Sequence, residues 1–244
     1  MDDLPSFVTC PQAVRAVDFG HVLVLIDYRT GNVQALQPSA ADQWNALSRT
    51  GVLDRNRIAP ALGRRLLALG LLAPASGPGA WTSALAASSA QASWGSTEHP
   101  AGVVRPPHGP FAETLSAAAA LTVAFAATRR QPTGMRRTLT LLSAADARTV
   151  RAATLREATC AVSAVRRAGW YSPGRTACLE ESVAAVLLLA SRRLGVRWCH
   201  GIASDPIRLH AWVQTMNGDD VAEPFSTRAY TPVLTIGDRH HQPR

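Results

Sequence analysis

The sequence contains no lysine, so all 25 of its basic residues are arginines. The chain has 244 residues and a formal net charge of +8. A basic stripe with interleaved aromatic side chains would indicate a nucleic-acid-binding protein, but these arginines occur as scattered pairs such as Arg64-Arg65 and Arg192-Arg193. A biased codon usage also produces an arginine- and alanine-rich composition. We therefore expect no nucleic-acid partner, despite the positive charge.

The sequence also lacks a CxxC motif, a basic signal segment and a long apolar run. Its start, Met1-Asp2-Asp3, is acidic where a secretory signal is basic. The most apolar stretch, residues 115–127, is shorter than the roughly 20 residues that a membrane-spanning helix needs. Four cysteines remain without a metal-ligand spacing: Cys10, Cys160, Cys178 and Cys199. We expect a cytoplasmic protein with reduced thiols, no membrane association, no metal and no other cofactor.

Hydrophobic residues make up 47% of the sequence, enough for one large domain or two small ones. Weak alternation over residues 6–17 predicts a short strand. Residues 22–27 and 33–36 predict a hairpin, since both runs are apolar and Gly31 can adopt a positive φ in the turn between them. The chain therefore begins with a three-stranded sheet.

Two helices should follow this hairpin. Ser39 and Asp42 predict a capping box at the start of the first helix. The second helix covers residues 58–69, with Leu62, Leu66 and Leu69 on its buried side and Gly70 at its end. A module of this size without a catalytic motif is typical of a binding domain.

A segment rich in proline, glycine, alanine and serine divides the sequence. We interpret residues 75–110 as a linker between an N-terminal domain, residues 1–74, and a C-terminal domain, residues 111–244. Trp81 and Trp94 are exceptions within it, since either indole could dock on one of the domains. In the C-terminal part, alanine-rich periodicity predicts helices over residues 111–130 and 143–167, the second capped by Ser143.

Cys178 is the candidate nucleophile. Thr176 can cap a helix that extends to Leu194 and ends at Gly195, which places Cys178 in its first turn. The free amides and the positive end of the helix dipole at that position favour a thiolate over a thiol. A small residue packed at a buried helix start would be the structural alternative.

His210 is the candidate base, 32 positions after Cys178 and on a predicted strand over residues 208–214. Asn217-Gly218 predicts a hairpin turn, and residues 221–223 predict the start of a returning strand. A nucleophile at a helix start, a histidine on a strand and a nearby carboxylate form a Cys-His-acid triad. Glu223 is our choice for the acid, and Asp219 and Asp220 are alternatives at the tip of the hairpin.

These motifs resemble the leader peptidase of lasso-peptide biosynthesis, the transglutaminase-like half of the so-called B protein. The resemblance rests on Arg175-Thr176-Ala177-Cys178-Leu179 with Ser182, Arg192-Arg193-Leu194-Gly195-Val196, His210-Ala211-Trp212-Val213, Val221-Ala222-Glu223-Pro224, and Tyr230-Thr231-Pro232-Val233-Leu234. The N-terminal part is similar to the small leader-recognition domain related to the pyrroloquinoline-quinone chaperone. Together the two similarities cover residues 6–73 and 140–236.

The resemblance implies an α+β protein in which a winged-helix-like recognition domain precedes a papain/transglutaminase-like cysteine protease domain. It implies cleavage of the leader from a ribosomally made lasso precursor, followed by ring closure by an asparagine-synthetase-like cyclase. The leader would add a strand to the N-terminal sheet. Its expected contacts are Val33, Gln34, Ala35, Leu36, Leu62, Arg65 and Leu66.

Two features depart from this family. Glu181 stands where the family commonly has a basic residue, and the hairpin after His210 is one residue longer than usual. Two other functions therefore remain open: a catalytically inactive peptide-binding adaptor, and an acyltransferase that uses the same triad with an amine acceptor.

Overall fold

The chain consists of two units, Met1–Ser89 and Ala90–Arg244. The computed structural model describes residues 4–54, 56–86, 109–128, 133–172, 176–204 and 206–237. Both units combine helices and strands, as expected for the α+β class.

A four-stranded sheet organises the N-terminal unit, in the order β4-β3-β2-β6, beside a two-stranded β1-β5 pair. The strands are β1 Val8–Thr9, β2 Val14–Asp18, β3 Leu23–Asp27, β4 Asn32–Leu36, β5 Ala73–Pro74 and β6 Leu85–Ala86. The predicted hairpin is confirmed, because β3 and β4 pair antiparallel and Gly31 has φ 80° in the turn. The predicted first strand over residues 6–17 is two strands, β1 and β2.

Two helices pack on this sheet, α1 Pro38–Thr50 and α2 Pro60–Ala68. The prediction of a Ser39 cap is wrong: Gln37 occupies the N-cap position, and no side chain caps the helix. Pro38 and Pro60 begin the helices instead, because a proline loses no hydrogen bond in the first turn. Leu66 is buried as predicted, whereas Leu69 is 39% exposed because it lies past the last turn of α2.

The segment after α2 differs from the predicted linker. Trp81 donates its backbone N–H to the Ser48 carbonyl. Its ring packs edge-on against the ring of Trp44, with the two ring centroids 5.9 Å apart. Trp44 in turn donates its indole N–H to the Ser83 carbonyl at 2.8 Å. Residues 75–86 therefore belong to the N-terminal fold and add β6 as a fourth strand, parallel to β2. Residues 87–108 of the predicted linker lie outside the described residues.

The described residues of the C-terminal unit form four α-helices, a three-stranded sheet and a two-stranded β7-β8 pair. The helices are α3 Phe111–Thr128, α4 Gly134–Asp146, α5 Leu155–Trp170 and α6 Cys178–Ser191, with a 3₁₀ helix at Phe225–Ala229. The strands are β7 Arg151–Ala152, β8 Leu194–Gly195, β9 Arg197–Ser204, β10 Ile207–Gln214 and β11 Thr231–Ile236. The sheet order is β10-β9-β11, and both pairs are antiparallel.

The prediction of one helix over residues 143–167 is wrong. Ser143 lies inside α4, and the chain then forms β7 before α5 begins. Thr154 caps α5 in a capping box with Glu157. The break exists because β7 pairs in parallel with β8, a contact between distant parts of the chain. Helix α6 ends at Ser191, Arg193 then adopts φ 62°, and Gly195 lies in β8 instead of stopping the helix.

Helix α6 is the most buried helix of the C-terminal unit. Val183, Ala184, Ala185 and Leu189 are fully buried in its core. Ser182 accepts a hydrogen bond from the indole N–H of Trp198 on β9 at 3.0 Å, which ties the helix to the sheet. Helix α3 is long and apolar enough to cross a membrane by length and composition alone, although one such helix is weak evidence for a membrane protein.

Candidate active site

The half-buried Cys178 is the first residue of α6. Ala177 is the N-cap, and its backbone N–H donates to the Glu180 carboxylate at 3.2 Å. The prediction that Thr176 caps the helix is wrong, because its hydroxyl donates to Glu181 Oε1 at 2.7 Å. Since the body of α6 is packed in the core, the position of the Cys178 side chain is set by a rigid element.

His210 lies on β10, whose register with β9 places it opposite Gly201. Its ring stacks on Trp212 with centroids 5.6 Å apart and lies 5.1 Å from the ring of Tyr230. Its Nε2 is 2.7 Å from Glu223 Oε2. These three contacts fix the plane of the imidazole, and Nδ1 is the ring nitrogen that remains for Cys178.

The electrostatic surroundings of His210 favour its charged form. Burial by itself lowers the pKa of His210, but hydrogen bonding with Cys178 and Glu223, together with the charges of both groups, raises that pKa to about 9. The imidazole is therefore protonated at neutral pH. A protonated histidine beside a cysteine can donate a proton to a leaving group.

Glu223 is a buried carboxylate with three partners. Besides His210, it accepts hydrogen bonds from the Thr227 hydroxyl at 3.0 Å and from Arg166 Nη2 at 3.0 Å. Burial acts to raise the pKa of Glu223, but the hydrogen bond and charge of His210, the charge of Arg166 and the Thr227 hydroxyl together lower it below its ordinary value. Glu223 is therefore ionised and can hold His210 in its charged form.

The two alternative acids have other partners. Asp220 accepts hydrogen bonds from the Trp212 indole and the Gln214 amide, both at 2.8 Å. Asp219 accepts a hydrogen bond from the Thr215 hydroxyl at 3.0 Å. Both carboxylates stabilise the hairpin that follows β10, and the structure brings Glu223 alone of the three to His210.

The segment that carries Glu223 is irregular, so the predicted returning strand is wrong. Asp220 forms an isolated bridge with Gln214, and Val221 donates its N–H to the Val213 carbonyl at 2.9 Å. Ala222 then adopts φ 54°, in the left-handed region that favours glycine. Side chains therefore do not point alternately to the two sides of the sheet beyond Val221, and the alternation expected of a strand could not identify the acid.

Cys178, His210 and Glu223 line one cavity of about 240 Å³. Its other walls come from α5, α6, β10 and the segment after the hairpin: Val162, Arg166, Glu181, Ser182, Ala211, Trp212, Val213, Val221 and Pro224. Arg166 was not predicted as a site residue, because in the sequence Arg166-Arg167 is one more scattered arginine pair. No local spacing links Arg166 to Glu223, because the two residues meet only through the packing of α5 against the hairpin.

The residues expected to bind a leader lie in the N-terminal unit, where β4 pairs with β3 and is at one edge of the sheet. Gln34 accepts a hydrogen bond from Arg65 of α2 at 3.4 Å. Ala35 and Arg65 are exposed, and Val33, Gln34 and Leu62 are half-buried. Leu36 and Leu66 are buried in the core, so their side chains do not belong to an accessible surface.

Among the described residues, no group of three histidine, cysteine, aspartate or glutamate side chains is arranged to hold a metal ion. The family model of the transglutaminase-like superfamily matches residues 118–235. The matched segment, a little under half of the chain, contains Cys178, His210 and Glu223 and is a transglutaminase-like domain. No curated protein and no solved structure matches the chain.

Proposed function

We propose that the transglutaminase-like domain is a cysteine endopeptidase that removes the leader from a ribosomally made precursor peptide of the lasso class. The observation that carries this proposal is the 2.7 Å contact between His210 and Glu223 in the cavity that Cys178 also lines. The transglutaminase-like superfamily match supports thiol-based acyl chemistry, and the resemblance of both halves of the chain to the lasso B protein supports a peptide substrate.

In the first half of the reaction, the sulfur of Cys178 attacks the carbonyl carbon of the scissile peptide bond. The backbone N–H of Cys178 donates a hydrogen bond to the carbonyl oxygen and stabilises the negative charge that develops there, since the first amides of α6 have no partner within the helix. His210 then donates its proton to the leaving amine as the C–N bond breaks. The leader remains as a thioester on Cys178, and the core peptide leaves with a free amino terminus.

In the second half, water hydrolyses the thioester. His210, now neutral, accepts a proton from the attacking water, and Cys178 leaves as the thioester bond breaks. Glu223 stays ionised throughout and keeps Nε2 of His210 oriented, so that Nδ1 faces the reacting atoms. The cycle needs no metal and no cofactor, since every proton and bond is accounted for by the peptide, water and these residues.

The N-terminal unit binds the leader under this proposal. A sheet edge at β4 suits strand addition, in which backbone hydrogen bonds supply affinity and side-chain contacts supply specificity. Val33, Gln34, Ala35, Leu62 and Arg65 are the side chains placed to contact it. Because one chain carries both units, a bound leader raises the local concentration of the scissile bond near Cys178.

The product suggests the next step. Cleavage frees the α-amine of the core peptide, which an asparagine-synthetase-like cyclase would join to a side-chain carboxylate in an ATP-dependent reaction. We place this exchange in the cytoplasm, where the thiol of Cys178 stays reduced.

The test uses the full chain and a synthetic precursor peptide of the lasso class. Mass spectrometry should detect separate leader and core peptides with the wild type and with Cys160→Ala, a matched control at an exposed cysteine of α5. Cys178→Ala should release neither product. Cleavage by Cys178→Ala at the wild-type rate would refute the proposed function.

A further inference from the structure

Arg166, on α5, contacts both halves of the candidate site. Its Nη2 donates to Glu223 Oε1 at 3.0 Å, its Nη1 donates to the Ala222 carbonyl at 2.7 Å, and its Nε lies 3.5 Å from Glu181 Oε2. We propose that Arg166 is a positioning residue that holds Glu223 against His210 and ties this pair to the helix that carries Cys178. This inference rests on the proposed function, because it assigns Arg166 a role in the same site.

Arg166 supports the backbone that presents Glu223. Ala222 has φ 54°, a conformation that residues other than glycine rarely adopt without support. A guanidinium group can donate along two directions at once, and Arg166 uses this geometry to hold the carbonyl of Ala222 and the carboxylate of Glu223 together. The unusual backbone therefore has a specific partner.

Arg166 also orients the carboxylate of Glu223. Glu223 Oε2 contacts His210 and the Thr227 hydroxyl, while Oε1 contacts Arg166. Arg166 is therefore the group that restrains the second oxygen, and Thr227 is a neutral donor on the first. Without Arg166, rotation of the carboxylate is limited by the His210 and Thr227 contacts alone.

The ion pair of Arg166 with Glu181 connects this arrangement to the nucleophile. Glu181 lies one turn into α6, and it accepts a hydrogen bond from the Thr176 hydroxyl at 2.7 Å in the segment just before Cys178. The Arg166–Glu181 ion pair therefore connects α5 to the start of α6. Gly169 of α5 also allows Thr176 to approach this helix closely, since a Cβ at Gly169 would lie 3.1 Å from Thr176 side-chain atoms. Glu181 thus has a defined role here, although the resembled family commonly has a basic residue at that position.

The groups that face Glu223 determine how a variant can be read. They are His210 on β10, Arg166 on α5, Thr227 on the 3₁₀ helix, and Tyr230, whose pKa is raised by burial and by the charges of Cys178 and Glu223 against the lowering effect of Arg208. Removing a cation from this site would, by charge alone, leave His210 with equal or greater proton affinity. Loss of positioning acts in the opposite direction, because His210 would lose contact with its carboxylate.

The experiment is an NMR titration of the His210 ring in the full chain labelled at histidine, with His210→Ala to assign the signal. Arg166→Gln should lower the proton affinity of His210 severalfold, less than loss of the Glu223 charge itself would, and should reduce the rate of precursor cleavage by up to roughly 100-fold, as misplaced catalytic groups do. Arg156→Gln, on the exposed side of the same helix, should leave the titration unchanged. Arg166→Lys keeps the charge without the forked geometry and should give an intermediate value.

An unchanged or raised proton affinity of His210 in Arg166→Gln would overturn the inference. If that variant does not fold, Arg166→Lys decides, because a titration identical to that of the wild type would equally overturn it. These outcomes are distinct from failure of the proposed function. That failure would appear as cleavage by Cys178→Ala, whatever Arg166 does to the titration.

Discussion

Replacing Glu223 by glutamine separates the charge of the acid from its shape. Glutamine is almost isosteric with glutamate and can keep the contact with Nε2 of His210, but it carries no negative charge. The pKa of His210 is about 9 in the structure against an ordinary 6.5, since the partners outweigh the cost of burial. That difference corresponds to about 3 kcal/mol in favour of the imidazolium.

Glu223 and Cys178 each contribute a hydrogen bond and a charge, and together they supply this free energy and also offset the cost of burial. Because the two partners act in the same way, neutralising Glu223 should remove at least about half of the net free energy, about 1–2 kcal/mol, and should bring the pKa of His210 down by at least about one unit. The imidazolium would then be lost at a lower pH. Because the leaving amine needs the His210 proton, the basic limb of the pH–rate profile for peptide cleavage should move down with it.

Histidine NMR titration measures the first effect and initial cleavage rates across pH measure the second. Asp219→Asn is the matched control, since it removes a carboxylate of the same hairpin that contacts Thr215 and not His210. Asp220→Asn should lower stability through its lost contacts with Trp212 and Gln214, but should leave the pKa of His210 unchanged in the folded protein. The assignment of Glu223 as the acid would be refuted if the pKa of His210 were unchanged in Glu223→Gln, or if it were lowered in Asp219→Asn.

Two further predictions concern stability. His200 is 5% exposed, and burial with the nearby charge of His210 lowers its pKa to about 4. In the unfolded chain His200 binds a proton with an ordinary pKa of 6.5, so the free energy of unfolding should fall by about 3 kcal/mol as the pH falls from 6.5 to 4. In a series of urea denaturations across this pH range, His200→Gln should show a smaller decrease. A pH profile that is unchanged in His200→Gln would contradict this explanation. In the N-terminal unit, Trp81→Ala should cost about 2–3 kcal/mol, since it removes the edge-on contact with Trp44 and leaves a partly filled space. Trp170→Ala, at a residue 42% exposed, is the control and should cost much less by circular dichroism in urea. A negligible loss of stability in Trp81→Ala would show that the segment around Trp81 does not stabilise the fold.

Local sequence signals predicted the elements whose causes are local. The hairpin of β3 and β4 follows from two apolar runs around Gly31, and α3 follows from an uninterrupted helical composition. The strand with His210 was also visible, because its residues alternate and a turn with Gly218 follows. In each case the residues that determine the element are neighbours in the chain.

The remaining errors come from contacts between distant residues. The periodicity of residues 143–167 continues across the boundary between α4 and α5, and only the pairing of β7 with β8 separates the two helices. In the same way, residues 75–86 have a linker composition, yet Trp81 holds them against α1. The candidate site repeats this pattern. Its nucleophile and histidine could be proposed from their sequence, whereas Arg166 reaches Glu223 only through the packing of α5.

If Cys178 is a nucleophile activated by His210, it should react with iodoacetamide faster than an ordinary exposed thiol does. The full chain would be treated briefly with limiting reagent at neutral pH, and alkylation would be mapped at each cysteine by mass spectrometry. Cys160 is an exposed thiol on α5 and serves as the internal reference. We expect Cys178, although only half-exposed, to react at least roughly tenfold faster than Cys160, and we expect His210→Ala to abolish this difference. Slower alkylation of Cys178 than of Cys160 in the wild type would contradict this expectation.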